Sequence, residues 1–581
     1  DNGFVDPPRT PQDGYHLTED LADTAVRMVQ DQQQATPAKP FFLYFAPGAM
    51  HAPHHAPRAW IDAYRGSFDG GWEAWRQQAF QRQLKAGIVP EGTTLTERPS
   101  WVPDWNALPA EQRRLFARGM EAFAGFLSHT DAQIGRLLAM LGTLGVADNT
   151  LVLILSDNGA SAEGGPIGSF NEHRFVHDRV DDIADTLQRV DEIGGFRAYN
   201  HYAWGWAWAG NAPLRLWKRY TWLGGVRTPL IARWPKRLAD HGSVRPQFCH
   251  AVDILPTVLD ATGVEAQDVV DGVTQQPFDG ASLLAMFDDA NAAAPRHTQY
   301  FEMLGSRAIY YHGWKATTDH VGPQLTVERD NIPGSHDFES DHWSLFDLDN
   351  DFAEAHDLSA QHPEHLKILI EQWWMEAGRN NVLPLTDSFL GRVTALEPSP
   401  WGPRWRAVLR PGGGPVSEDA LPPLGGGFRL LADVDIGTSA AGIVCALGDW
   451  SNGWAWYFVD GRPVLTFNIL GEVFRYAASE PLPAGRHTIL AEYAWARKDS
   501  VMRLRVGKQV IAEGPLPRRL PMRWQIGGAG LLVGRDRGFP VCDDYEAPFP
   551  FRGTIERVLI EVPALAPRDA IQETEAALHR E

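Results

Sequence analysis

The chain has 581 residues, 44% hydrophobic and 22% charged. That composition excludes a disordered chain, and the length exceeds what one hydrophobic core supports, so roughly two to four domains are expected. With 53 Lys+Arg against 73 Asp+Glu the formal net charge is -20, a field that repels polyanions and excludes nucleic acid as a general partner. The three cysteines, Cys249, Cys445 and Cys542, are too few and too scattered for a disulfide framework. No apolar run reaches the roughly 18 residues of a membrane-spanning helix, so no membrane span is expected. The first residue is Asp1 and the opening residues resemble no signal peptide, from which a processed chain or a fragment is expected.

In chain order, Phe41-Phe42-Leu43-Tyr44-Phe45 is a short apolar run that reads as a buried strand. From Pro109 to Leu144 the apolar residues Leu115, Met120, Phe123, Leu127, Ile134 and Leu138 recur at helical spacings, with Pro109 suited to the first turn. The run Thr150 to Leu155 reads as a strand that passes straight into Ser156-Asp157-Asn158-Gly159. Pro229 to Trp234 reads as another strand, and Asp253 to Thr262 as a short helix stopped by Gly263. Buried strands alternating with helices predict an α/β layered unit over residues 1–300, with a mostly parallel central sheet.

Ser306 to Tyr311 and Trp314 to Thr318 flank His312-Gly313 and predict a hairpin. With Trp343 to Phe346 and a helix from Glu364 to Ala377, it makes a small α+β subdomain over residues 301–386. Prolines and the Gly412-Gly413-Gly414 and Gly425-Gly426-Gly427 runs mark a linker over 387–427. Residues 428–581 read as a β-sandwich, with a strong hairpin signal at Asp460-Gly461 between two apolar runs. Its tryptophans suit either ordinary packing, the commoner case, or a platform for sugar rings.

Several residues can carry chemistry. Asp157 and Asn158 follow an apolar strand, where open α/β sheets place their ligands, and they offer hard oxygens suited to calcium or magnesium. Taken alone, the same Asn-Gly stretch favours a tight turn. His51 stands in His51-Ala52-Pro53-His54-His55 after a strand, placed to protonate a leaving group or orient an anion; His54 and His55 compete with it on residue type. Lys218, among apolar neighbours in Arg215-Leu216-Trp217-Lys218, is a point charge for an anionic oxygen, although such a lysine is more often simply solvated. Asp347-Leu348-Asp349-Asn350-Asp351 imitates a calcium loop but has Phe352 where glycine is needed, and reads as a turn.

The order of these pieces, Met50-His51-Ala52-Pro53, then Leu155-Ser156-Asp157-Asn158-Gly159, then Arg215-Leu216-Trp217-Lys218 with Gly224-Gly225-Val226-Arg227-Thr228-Pro229, resembles the arylsulfatases of the alkaline-phosphatase superfamily. Asp253-Ile254-Leu255-Pro256-Thr257 and Gly313-Trp314-Lys315 add to the likeness, which runs from about Tyr15 to Leu383. The resemblance implies an alkaline-phosphatase-like fold and hydrolysis of an organic sulfate ester to alcohol or phenol plus sulfate. It also implies calcium held in part by Asp157 and Asn158, with His51 and Lys218 on the ester and His51 as proton donor. The nucleophile it implies is a hydrated formylglycine made from a Cys-x-Pro/Ala-Ser/Thr-x-Arg motif, and a bacterial cytoplasm or periplasm is the expected compartment.

The sequence departs from the family pattern at several points. No cysteine precedes Cys249, and none of the three stands in that motif. A paired Asp and a Lys-x-His segment are absent upstream of His51, and Leu223 replaces a glutamate often found before the Gly-Gly pair. The expectation is therefore a sulfatase lacking its nucleophile segment and inactive by itself. Two alternatives stay open: a non-catalytic scaffold binding anionic or carbohydrate ligands, and a phosphoester or phosphonate hydrolase of the same superfamily.

Overall fold

The computed structural model describes residues 5–177, 179–320, 337–387, 406–494, 500–521, 524–525, 528 and 530–562. Helix α1 spans Leu17–Ala35, α2 Arg58–Asp62, α3 Gly71–Lys85 and α4 Ala110–Thr143. Pro109 stands at the N-cap of α4, where its missing N–H costs nothing. One face of α4 buries Leu115, Phe116 and Met120 against a cluster built on Trp72, Trp105 and Trp206. These indoles meet edge to face at centroid separations of 4.8 to 5.8 Å, an arrangement suited to their quadrupoles. Trp206 belongs to the helix Trp204–Gly210, whose sequence is apolar all round because the core surrounds it.

The strand read at Thr150 to Leu155 forms over Val152–Leu155 (β1), and helix α5 spans Glu172–Val176. The strand read at Pro229 to Trp234 forms over Leu230–Arg233 (β2). The pairing differs from expectation. Strands β1 and β2 make a two-stranded antiparallel sheet, and no parallel ladder joins the described strands. Phe41 to Phe45 pairs with no strand among the described residues. Phe41, Leu43 and Phe45 pack towards Ala25, Val29 and Leu141 of α1 and α4, while Phe42 and Tyr44 stay 78% and 82% exposed. The run therefore has the alternation of a strand with one face covered and no neighbour to ladder with.

The small subdomain is a four-stranded antiparallel sheet of Thr298–Met303, Ser306–Tyr311, Trp314–Thr318 and Trp343–Asp347 in that order. The hairpin turns where read: His312 and Gly313 both take positive φ, 48° and 85°. Helix Pro363–Arg379 covers the sheet, burying Leu369, Trp373 and Ala377 on Ile309, Ala316 and Leu345. A buried ion pair, Lys315 with Glu354, joins this subdomain to the main unit. Lys315 Nζ also donates to the Thr221 carbonyl at 2.8 Å, and Glu354 accepts from the Leu223 N–H at 2.6 Å.

After residues 388–405 of the stretch read as linker, which lie outside the described residues, Arg406–Leu409 is an edge strand of the sandwich. A six-stranded and a five-stranded antiparallel sheet face each other across a core of Leu430, Val434, Trp454, Trp456, Phe467 and Ile489. The Asp460-Gly461 turn has φ of 49° and 74°, the left-handed pair a tight hairpin needs. Trp454 and Trp456 are buried, so these two tryptophans pack the core and offer no sugar platform.

The sandwich docks on the main unit through a few specific contacts. Asn171 Nδ2 donates to the Ser451 carbonyl at 2.9 Å, Phe196 stacks with Phe539, and Asp6 pairs with Arg535 and Arg537.

Candidate active site

At the carboxyl end of β1 the chain turns through Ser156-Asp157-Asn158-Gly159. Ser156 Oγ donates to the Asn158 carbonyl at 3.0 Å, and Thr228 Oγ1 to the Ser156 carbonyl at 2.7 Å. Gly159 N–H then donates to the Gly225 carbonyl at 3.0 Å. A Cβ at Gly159 would fall 1.7 Å from the Gly224 carbonyl oxygen, and one at Gly224 2.1 Å from that of Arg215. Glycine at both positions lets the two loops touch backbone to backbone.

Asn211 knits the loops. Its Oδ1 accepts from Ala160 N–H at 3.1 Å, and its Nδ2 donates to the carbonyls of Leu216 and Gly224 at 2.8 and 2.9 Å. Lys218 N–H donates to Ala160, and Leu216 and Arg219 beside it carry left-handed φ of 60° and 87°. Two non-glycine residues in that region, Leu216 and Arg219, flank Lys218. The segment feeding it is braced by buried Arg76. Its guanidinium donates to the carbonyls of Trp208 (2.5 Å), Pro213 (3.0 Å) and Leu214 (2.9 Å), and to Thr96 Oγ1 (2.8 Å). Burial lowers the Arg76 pKa to about 9.

Lys218 and His51 converge on one carboxylate, Glu163. Lys218 Nζ lies 2.8 Å from Oε1 and 3.1 Å from Oε2, and His51 Nε2 lies 3.8 Å from Oε2. The three histidines of the His51 stretch are now distinguished. His54 is buried against Phe123, His201 and Tyr202, and burial pushes its pKa well down. His55 donates to the Ala198 carbonyl at 2.5 Å, and burial holds its pKa to about 4. His51 alone of the three has a side chain that is half exposed and close to Glu163. Its Nδ1–H is spent on the Ala52 carbonyl at 2.9 Å, which leaves Nε2 to face Glu163 and any ligand.

Sequence reasoning missed Glu163 and the groups around it. Ser161 Oγ donates to Glu163, and His201 Nε2 lies 2.9 Å from Ser161 Oγ. Burial holds the His201 pKa to about 4. Burial would raise the Glu163 pKa, but the hydrogen bonds from Lys218 and Ser161 outweigh it and hold the carboxyl below its usual range. Glu172 takes the opposite course: burial, helped by the nearby Glu163 charge, raises its pKa to about 8. The available signal was a carboxylate in Ser161-Ala162-Glu163-Gly164-Gly165, a few residues past the Asp157 turn.

Asp157 is exposed and Asn158 partly so, and among the described residues no three His, Cys, Asp or Glu side chains gather as a metal site. Two oxygens of the right hardness do not make calcium's usual roughly six to eight ligands. These residues by themselves therefore do not fit the ion. None of the cysteines stands in the cluster: Cys249 packs beside Leu283 and Leu284, and Cys445 and Cys542 lie in the sandwich.

With this geometry the chain can be set beside known proteins. Residues 2–264 match the family model described as Sulfatase, and residues 215–374 that of the N-sulphoglucosamine sulphohydrolase C-terminal region. Over residues 2–264 the chain is similar to the sulfatases. An uncharacterized sulfatase of Schizosaccharomyces pombe is 28% identical over 382 residues, covering 64% of this chain and 64% of that protein. An arylsulfatase of Klebsiella aerogenes is 27% identical over 268 residues, 46% of this chain and 55% of the relative. The chain thus spans less than two thirds of either relative. Among solved structures, the crystal structure of Ps i-CgsB aligns with 66% of this chain and 60% of its own at 19% identity and a TM-score of 0.39. Among the described residues no helix is long and apolar enough to cross a membrane.

Proposed function

We propose that this chain forms the ester-binding and proton-donating part of a sulfuric ester hydrolase, which cleaves an organic sulfate ester to an alcohol or phenol plus sulfate. The observation that carries the reading is the convergence of Lys218 Nζ and His51 Nε2 on Glu163, beside the turn at the carboxyl end of β1. A cation and an imidazole nitrogen directed at one carboxylate form a place for an anionic oxygen. Lys218 holds a sulfate oxygen by charge, and His51 delivers a proton from Nε2 to the departing oxygen. Glu163 holds both groups in register until the ester arrives.

Asp157 and Asn158 would offer two oxygens to a calcium ion, too few to hold it without ligands that this cluster does not supply. The attacking group, in the family a formylglycine, is likewise not supplied by Cys249, Cys445 or Cys542. The chain as given is accordingly expected to bind sulfate esters without turning them over. The test offers an aryl sulfate and an aryl phosphate in parallel to the full product of the gene. Preferred sulfate hydrolysis supports the reading, and preferred phosphate hydrolysis moves the protein to the phosphoesterases.

A further inference from the structure

Away from this cluster, between the loop after α2 and the start of α4, lies a cavity of about 430 Å³. That volume is within the range of small-molecule pockets. Arg65, Arg113, Arg114 and Arg118 line it, an unusual gathering of cations in a chain with a formal net charge of -20. Two of its three acids are already engaged. Glu121 accepts from Gly66 N–H and Arg118 Nη1, both at 2.7 Å, and Asp191 pairs with Arg58 at 3.2 Å. Asp69, the third, is exposed.

The cations are less fully matched. Arg65 donates to Asp62 Oδ1 at 2.8 Å, and Arg118 Nη1 lies 3.5 Å from the same oxygen. Arg118 is only 5% exposed, and its Nε and Nη2 have no hydrogen-bond partner among the described residues. Buried guanidinium N–H groups left unpaired are costly, and a ligand oxygen relieves that cost. Arg113 and Arg114 add two side chains that form no ion pair among the described residues. The floor is rigid: Trp105 is buried in the indole cluster and donates to the Asp69 carbonyl at 3.3 Å.

We propose that this cavity is a binding site for a small oxyanion-bearing molecule, separate from the Lys218 cluster. Arg118 donates from the buried end, and Arg113 and Arg114 close on the anion from the helix surface. Guanidinium forks suit such oxygens better than ammonium groups, because two N–H donors lie parallel in one plane. No residue of the Lys218 cluster lines the cavity, so the site does not depend on the sulfatase reaction.

The test is calorimetric titration with inorganic sulfate and, separately, inorganic phosphate at low ionic strength. It is made in a Lys218→Ala background so that the other cation cluster does not contribute. One saturable site is expected for at least one anion, weakened roughly ten-fold or more by the double change Arg113→Ala/Arg114→Ala. Both positions lie on α4, where alanine favours the helix, and an unchanged melting temperature shows that the variant is folded. The tighter anion names the oxyanion of the ligand. Absence of saturable binding in the Lys218→Ala chain, or binding indifferent to both the double change and Arg118→Lys, overturns the proposal.

Discussion

Glu163 receives the Lys218 ammonium at 2.8 Å while His51 Nε2 stands 3.8 Å from the other oxygen of the same carboxylate. A negative charge therefore already sits between the two groups assigned to an anionic ester. Glu163 both aligns them and competes with the ligand for them. The Glu163→Gln variant separates the two effects. Removing the like charge tightens binding of inorganic sulfate several-fold, since a partly exposed pair of this kind is worth about 1 kcal/mol or less. The same change lowers turnover in the complete enzyme, because His51 and Lys218 lose their common anchor. Sulfate affinity that is unchanged or weaker in the variant contradicts this account.

Glu172 sets a pH dependence of stability. Its carboxyl ionises near the ordinary 4.5 when unfolded but keeps its proton to about 8 when folded, because burial disfavours the charge. Between those values the folded chain binds the extra proton, so this group's contribution to stability falls as pH rises from about 4.5 to 8 and is flat above. The Glu172→Gln variant, which stays uncharged, loses that slope. Its melting temperature relative to wild type should climb by roughly 2 °C or more between pH 5 and pH 8. Parallel melting curves for the two proteins across that window exclude the assignment.

Lys315 and Glu354 form a buried pair whose oxygens also hold the Leu223 N–H ahead of the Gly224-Gly225 turn. Burial lowers the Lys315 pKa, opposed by the Glu354 charge and hydrogen bond. Removing either partner leaves an uncompensated buried charge, at a cost of about 3–5 kcal/mol. The double change Lys315→Met/Glu354→Gln is predicted to cost less than the sum of the single changes. A double-mutant cycle from urea unfolding gives the coupling directly, and strict additivity would show the pair to be independent.

Arg76 is predicted to act on the site through the backbone it ties. The Arg76→Lys variant keeps the charge but loses the fork that reaches Trp208, Pro213 and Leu214 together. It should lower the melting temperature and weaken sulfate binding at Lys218, whereas Thr96→Val, which removes one hydroxyl partner, should do less of both. Comparable losses in the two variants would mean that the carbonyl contacts contribute little.

Much of this molecule was legible because the deciding physics is local. The apolar run into Asp157-Asn158-Gly159, the periodicity of α4 and the Asp460-Gly461 turn all formed where read. What could not be read depends on partners distant in sequence. Phe41 to Phe45 has strand composition, yet a strand is defined by a neighbouring ladder, and none of the described residues supplies one. Glu163 carries no periodicity of its own, and its role exists only because Lys218, 55 residues on, folds back onto it. The choice among His51, His54 and His55 likewise needed three dimensions. Residue type is the same, and only burial by Phe123 and Tyr202 or capture by the Ala198 carbonyl removes two of them. Trp454 and Trp456 show the converse, since their indole rings fill a core whichever way the sequence is read.

The central claim is that Lys218 and His51 act together on a sulfate ester. The most direct measurement is kcat/KM for a series of aryl sulfates of rising leaving-group pKa, made on the complete gene product and on its Lys218→Ala and His51→Ala variants. Both variants should fall by roughly 10²-fold or more on a poor leaving group. His51→Ala alone should recover on a good one, since such an oxygen departs without a proton. Losses in His51→Ala that do not depend on the leaving group, or a Lys218→Ala enzyme as active as wild type, would contradict the account.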